Sequence, residues 1–219
     1  MCYSVSSTAF QKTKIMIYLI VDTSTDICLI ALVKENQILA SHSLPHHNLL
    51  SKNLLPTIRE LLEKSSISLS SLSFIATGVG PGSYTGTRLG AAVAKGLGFG
   101  LNISIKPFYS PLAFLPPQDG SFLFVIPTRA GPYFILKGRQ SCKDIIVEDT
   151  ALITAERLET AATQADYLIA SLSQALPESL SHIPLFPPSL NLNLLTQYLS
   201  SAPSLPPEEI ALQYLHTPI

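Results

Sequence analysis

The sequence has no tryptophan and only three cysteines. Cys2, Cys28 and Cys142 are odd in number and far apart, which excludes a disulfide framework and the closely spaced cysteine pairs of a zinc site. Such sparse use of cysteine is typical of a reducing compartment, so we expect a cytoplasmic protein.

Charge is scarce as well. Asp, Glu, Lys and Arg make up 13% of the residues, about half of the usual share of roughly 25%. With a net charge of −1 and no basic run, the chain alone should not bind a nucleic-acid backbone strongly. The low charge fits a surface that a partner covers, and it fits equally well a surface on which Ser, Thr, Asn and Gln replace charged residues.

Long apolar runs are absent too. No run approaches the roughly 18 to 20 residues that a membrane span needs, so we expect no membrane contact. The run IMIYLIV at 15–21 stops at Asp22 and indicates a buried strand. The first 15 residues lack the apolar core of a signal peptide. Met16 could be the true start, so residues 1–15 are expected to be a disordered or artefactual extension.

The remaining pattern alternates strands with helices, which predicts an α/β fold. A meander of three strands over 16–44 is followed by a helix from Asn48 to about Lys64, in which Pro56 marks a kink or a late start. A strand at 73–80, a helix at 85–99 and a strand at 103–108 complete a first lobe, residues 16–110. After a proline-rich connector at 111–120, strands at 122–153 and 167–171 and helices at 155–165 and 189–201 predict a smaller, proline-rich second lobe, residues 111–219. No internal repeat is evident.

The stretch GVGPGSYTGTRLGAAVAKGLGFG at 78–100 carries eight glycines. It follows a strand and opens a helix, so its amides could contact a phosphate, although a tight structural turn is the favoured explanation. Glycine inside a helix costs roughly 1 kcal/mol relative to alanine, so Gly90 and Gly96 suggest a close contact. At helical spacing Gly86, Gly90, Val93 and Leu97 share one face. This face could pack on the chain's own sheet or on a partner helix.

Familiar catalytic patterns are missing. The stretch contains no GxxxxGK[ST] phosphate loop, and Ser83 is not in a GxSxG nucleophile elbow. His42 and His46 are four residues apart, but Pro45 lies between them, so a metal site there is disfavoured. The sequence therefore predicts no metal and no catalytic residues, and peptidase activity is disfavoured.

Three motifs together resemble the bacterial TsaB family: VDTST at 21–25, the glycine-rich stretch at 78–100 and TRAG at 128–131. The likeness covers about residues 16–138. It implies an actin-like ATPase (ASKHA) fold of two lobes, each with a mixed β-sheet flanked by helices. Members are non-catalytic relatives of TsaD, the enzyme subunit that forms N6-threonylcarbamoyladenosine on tRNAs.

The resemblance also implies partners. The chain should form a heterodimer with TsaD, join TsaE in a larger complex and meet tRNA only as part of that complex; alone, it could form a homodimer. No tightly bound cofactor is expected, although ATP or ADP could lodge at the partner interface. The metal-binding histidine pair of TsaD falls near Ser110 and Phe114 here, and neither residue suits a metal. The acidic positions of the family's DARxGEVY motif are replaced by Pro127 and Pro132.

Two sets of site residues follow from these observations. The predicted partner interface consists of Leu50, Leu54, Leu61, Gly86, Gly90, Val93 and Leu97. A phosphate-contacting loop would consist of Asp22, Thr23, Gly80, Gly82, Ser83 and Thr85. The second set supports an alternative function, an autonomous nucleotide-hydrolysing actin-like ATPase that uses Asp22, and a third hypothesis is a scaffold protein unrelated to tRNA.

Overall fold

The computed structural model describes residues 15–25, 27–45, 50–128, 132–142, 144–170 and 176–214. The first half of the chain forms a five-stranded mixed sheet in the order β3-β2-β1-β4-β5, in which β1 to β3 are antiparallel and β4 and β5 run parallel to β1. Its elements are β1 (Ile17–Asp22), β2 (Ile27–Lys34), β3 (Gln37–Pro45), α1 (Leu50–Lys64), β4 (Phe74–Gly78), α2 (Tyr84–Leu101) and β5 (Ser104–Phe108), with a 3-10 turn at Leu69–Ser71.

The second half repeats this topology. Its sheet has the order β8-β7-β6-β9-β10, which again places the third, second, first, fourth and fifth strands side by side. The elements are β6 (Gly120–Pro127), β7 (Tyr133–Gln140), β8 (Ile145–Ile153), α3 (Ala155–Ala162), β9 (Tyr167–Ala170), β10 (Leu185–Phe186) and α4 (Leu192–Ser201), with 3-10 turns at Ser110–Phe114, Glu178–Leu180 and Pro207–Glu209. The predicted two-lobed arrangement of mixed sheets flanked by helices is therefore confirmed, although the sequence shows no repeat.

Local sequence explains the first sheet. All six residues of β1 are buried, because both of its faces are covered. Glu35 and Asn36 have left-handed φ angles of 48° and 64°, which form the tight two-residue turn between β2 and β3. Asn48, the predicted start of α1, lies outside the described residues. Pro56 lies inside α1 and so does not mark a late start.

The two lobes share one hydrophobic core. One face of the first sheet, with Tyr18 and Phe74, belongs to the same buried cluster as Phe122 and Leu136 of the second sheet. Lys106 of β5 adds a polar link, because its Nζ donates a hydrogen bond of 2.7 Å to the carbonyl of Leu199 near the end of α4. Burial lowers the pKa of the Lys106 ammonium. The lobes are therefore joined through their facing sheets.

The other face of the first sheet carries α1 and α2. Helix α1 packs over β2 and β3, and α2 packs over β1 and β4, so the two helices lie side by side. Ser83 caps α2, its Oγ accepting a hydrogen bond from the Gly86 amide at 3.3 Å, and Asn102 ends the helix with a left-handed φ of 53°. Among the described residues, no helix combines the length and apolar character needed to cross a bilayer.

The end of the described chain does not stay with the second lobe. Residues 205–214, here called the C-terminal strap, return to the first lobe. Leu205 and Ile105 exchange two backbone hydrogen bonds of 2.8 Å, and Ile210 is buried beside Ile75. The sequence predicts that all of 111–219 belongs to the second lobe. This is wrong for the C-terminal strap, because the strap contacts the first lobe.

Candidate functional site

The turn after β1 is built around Asp22, whose side chain is 1% exposed. Its Oδ1 accepts hydrogen bonds from the Ser24 amide at 2.9 Å and the Ser24 hydroxyl at 2.6 Å. The Ser24 and Ser110 hydroxyl oxygens are 2.5 Å apart, and Ser110 accepts a hydrogen bond of 3.2 Å from the Gly80 amide. Asp22 thus caps a turn, and a chain of hydrogen bonds connects it to the glycine-rich loop.

The glycine-rich loop closes onto this turn. The Ser83 amide donates to the Ser24 carbonyl at 2.6 Å. A side-chain carbon at Gly82 would collide with that same carbonyl, and one at Gly78 would collide with the Asp22 carboxylate. Gly80 has a φ of +91° and lies against the carbonyl of Gln213 in the C-terminal strap. These glycines are required because other parts of the chain approach them closely.

Burial shifts the pKa values of two side chains at the turn, Asp22 and Cys28. Burial is the main cause that raises the pKa of the Asp22 carboxyl, while the hydrogen bonds from Ser24 oppose it. Burial also raises the pKa of the nearby Cys28 thiol to about 12, with a smaller contribution from the Asp22 charge. Cys28 is therefore an unreactive core residue.

Most of the predicted phosphate-contacting residues lie close together, but their hydrogen-bond donors bind other groups of the same chain. Asp22, Thr23, Gly80, Gly82 and Ser83 lie around one closed turn. The Gly80 and Ser83 amides donate to Ser110 and Ser24, and the Thr23 hydroxyl donates to the Gly86 carbonyl at 2.5 Å. Thr85 is exposed on the first turn of α2. In this arrangement the loop acts as a structural turn.

The predicted interface residues need correction. Leu50, Leu54 and Leu61 are at most 8% exposed, because they form the apolar side of α1 that packs on the sheet. Gly86 and Gly90 are buried, and a side-chain carbon at Gly90 would lie 2.6 Å from the Thr23 hydroxyl oxygen. These five residues offer a partner no side-chain surface. Val93 and Leu97 are half-buried against the same core.

Other residues of the two helices face outward. A side-chain carbon at Gly96 or Gly100 would meet no atom within 4 Å. Phe99 is 60% exposed and Leu55 is 53% exposed. We call these four residues, together with the exposed Ala92, the outer face. The helical positions opposite the buried residues could have indicated them from the sequence.

Among the described residues, no group of three or more His, Cys, Asp or Glu side chains could hold a metal ion. Ser110 and Phe114 are buried, His42 is exposed, and His46 lies outside the described ranges. The motif residues Arg129 and Gly131 also lie outside them.

A polar cleft of about 610 Å³ lies on the second lobe. Its charged side chains pair within the chain. Lys137 donates to Gln164 at 2.9 Å, Arg139 forms an ion pair of 2.9 Å with Glu148, and Asp166 accepts from the Ser121 amide and hydroxyl. The cleft therefore gives no indication of a ligand.

Comparison with known proteins agrees with this geometry. Residues 37–110 match the family model described as TsaD, tRNA N6-adenosine threonylcarbamoyltransferase. Proteins named tRNA threonylcarbamoyladenosine biosynthesis protein TsaB are similar in sequence. The Haemophilus influenzae protein is 38% identical over an alignment that covers 41% of this chain and 37% of that protein. The Bacillus subtilis protein is 36% identical over an alignment that covers 66% of this chain and 65% of that protein.

The matched region spans little more than a third of the length of several of these relatives. Two solved structures share the fold over nearly the whole chain. A Pseudomonas aeruginosa protein described as similar to the peptidase YeaZ has a TM-score of 0.75 at 24% identity, covering 92% of this chain and all of that one. YeaZ from the same organism has a TM-score of 0.72 at 23% identity, with 91% and 100% covered. The fold is actin-like, and in sequence the chain is similar to proteins of the TsaB family.

Proposed function

We propose that this chain is a non-catalytic binding subunit in tRNA threonylcarbamoyladenosine biosynthesis and that it docks onto a TsaD-family partner through the outer face of α1 and α2. The observation that carries the proposal is the match of the TsaD family model to residues 37–110, which contain both helices. A partner of that family would present a related pair of helices. Two related helix pairs can associate about a pseudo-two-fold axis, and the same geometry permits a homodimer when the partner is absent.

The shape of the outer face supports this proposal. Glycine and alanine at 92, 96 and 100 leave a flat stripe on which a second helix can approach closely, and Phe99 and Leu55 supply exposed apolar area. Aromatic side chains in such a setting often carry much of the binding energy. A scaffold unrelated to tRNA has no comparable support, because only the low charge favours it.

The closed glycine loop weighs against the alternative, an autonomous ATPase. A phosphate-binding loop needs free amides, and those of Gly80 and Ser83 bond to the chain itself. We therefore place the chemistry on the TsaD-family partner, with ATP or ADP at most at the interface. TsaE and tRNA would then meet this chain within the larger complex, in the cytoplasm.

Substituting Gly96 tests the docking face without disturbing the core. Because no atom lies within 4 Å of the added side-chain carbon, Gly96→Leu should fold normally but obstruct a close helix contact. We expect its affinity for the TsaD homologue of the same organism to fall at least about tenfold, roughly 1.4 kcal/mol. Isothermal titration calorimetry and the mass of the purified complex would measure this.

Thr160→Leu, at an exposed position of α3 on the other lobe, is the matched control and should bind like the wild type. Equal affinity of Gly96→Leu and wild type would place the docking site elsewhere. Failure of the wild type to bind any TsaD homologue would refute the proposed function itself.

A further inference from the structure

An arginine and two tyrosines form a cluster beside the outer face. The Arg88 guanidinium lies 3.9 Å from the centre of the Tyr84 ring. Its Nε donates a hydrogen bond of 3.2 Å to the Tyr214 hydroxyl, and the two tyrosine rings are 5.2 Å apart. Arg88 belongs to the glycine-rich motif, yet neither the turn nor the core uses its side chain.

The C-terminal strap positions this cluster. The Gln213 amide donates to the Val79 carbonyl at 2.8 Å, and Ile210 is 5% exposed beneath it. Tyr214 follows directly and reaches Arg88. These contacts with Tyr84 and Tyr214 favour one orientation of the guanidinium before any partner arrives, which lowers the entropy cost of using it in binding.

Arg88 has no negatively charged partner in the part of the chain that the structure describes. Within the described ranges, the ion pairs involve Glu60, Glu63 and Glu148, and none involves Arg88. Arg88 also lies in the first half of α2, where a positive charge gains nothing from the helix dipole. Helix stability thus does not explain an arginine here.

The cluster is continuous with the outer face. Tyr84, Arg88, Lys95 and Phe99 are spaced at four, seven and four residues, so they follow one stripe along α2. Tyr84 is 49% exposed and Phe99 is 60% exposed. Arginine and tyrosine are among the residues most often found to dominate binding energies at protein interfaces. The net charge of −1 and the lack of a basic run argue against a nucleic acid as the ligand of this cluster.

We propose that Tyr84, Arg88 and Tyr214 form the rim of the docking face and that Arg88 binds an acidic side chain of the TsaD-family partner. This inference rests on the proposed function and extends it, because it makes the C-terminal strap part of the interface. A carboxylate can accept two parallel hydrogen bonds from a guanidinium, and the two aromatic rings hold the guanidinium for that contact.

Affinity for the TsaD homologue, measured by calorimetry at low and moderate salt, tests the rim. Arg88→Gln should weaken binding about tenfold at low salt and reduce its salt dependence, because a charge pair is lost. Arg88→Glu should weaken binding further through repulsion, whereas loss of packing alone would make the two variants equal. Tyr214→Phe, which removes only the hydroxyl that orients Arg88, should weaken binding a few-fold.

Arg157→Gln, at an exposed position of α3, is the matched control and should bind like the wild type. Melting temperatures of all variants establish that they are folded. If the wild type binds and the Arg88 variants bind equally well, or if Gln and Glu at 88 are equivalent, this inference is wrong while the proposed function stands. If the wild type does not bind, both fall.

Discussion

Gly90→Leu is expected to destabilise the protein by about 3 kcal/mol or more, because it forces a side chain into a closed contact. The added side-chain carbon would lie 2.6 Å from the Thr23 hydroxyl oxygen, which is itself fixed by its hydrogen bond to Gly86. Thr23 and Ser24 of this turn are each only 1% exposed. The sequence alone suggests instead that Gly90→Leu blocks association and leaves the fold intact, and the structure reverses that expectation.

Thermal unfolding measures the effect directly. For a chain of this size each kcal/mol changes the Tm by about 2–4 °C, so we expect a fall of about 6–12 °C. Even Gly90→Ala should be destabilising. The matched control is Gly96→Ala in the same helix, which should raise stability by up to about 1 kcal/mol because its surroundings are open. A Gly90→Leu protein as stable as the wild type would show that α2 does not lie against Thr23 as described.

Asp22→Ala is expected to cost about 2–4 kcal/mol, because it leaves the Ser24 amide and hydroxyl without their acceptor inside the protein. Asp22→Asn should be tolerated, since its amide oxygen can accept the same hydrogen bonds. Chemical denaturation of both variants measures the difference. In the proposed function neither substitution acts through ATP, because the wild-type chain by itself should show no saturable ATP binding.

The pH dependence separates Asp22→Asn from the wild type. Burial raises the pKa of the folded Asp22 above its ordinary value of 3.8. At a pH between 3.8 and the pKa of the folded protein, Asp22 is protonated in the folded state and ionised in the unfolded state. The stability that this bound proton contributes is therefore complete below pH 3.8 and is lost as the pH rises through the folded pKa. Asparagine does not titrate. The stability of the Asn variant relative to the wild type should therefore increase as the pH rises above 3.8.

Two outcomes would count against this account of Asp22. A stability difference between Asp22→Asn and wild type that does not change with pH would mean that Asp22 has no raised pKa. Saturable ATP binding by the wild type, lost in a stable Asp22→Asn protein, would favour the nucleotide-hydrolysing alternative.

Most strands and helices follow from local sequence. The β-branched run before Asp22 and the glycine-rich turn before α2 both lie where the sequence predicts them, and α2 is only slightly longer than expected. The two-residue strand β10 has too short a pattern to be recognised. The crossing of the C-terminal strap could not be predicted either, because Leu205 and Gln213 meet partners on the other lobe that no local periodicity encodes.

The interface was harder to predict for a different physical reason. Helical spacing groups Gly86 with Gly90, but only tertiary contacts decide which side of α2 meets the sheet. For α1 the apolar stripe of Leu50, Leu54 and Leu61 is the side that an amphipathic helix normally buries. Small residues and isolated exposed apolar residues, such as Gly96 and Phe99, are weak signals until the buried side is known.

The path of the C-terminal strap also affects the order of events during synthesis. A ribosome makes the first lobe long before residues 205–214, yet Gly80 is enclosed and Arg88 is oriented only when the strap arrives. The contact between Val79 and Gln213 closes a loop of more than half the chain, and such contacts form late in folding. The rim of the docking face is therefore incomplete in a nascent first lobe, because Tyr214 has not yet been added. A partner that binds this rim would recognise only chains in which the strap has already been synthesised.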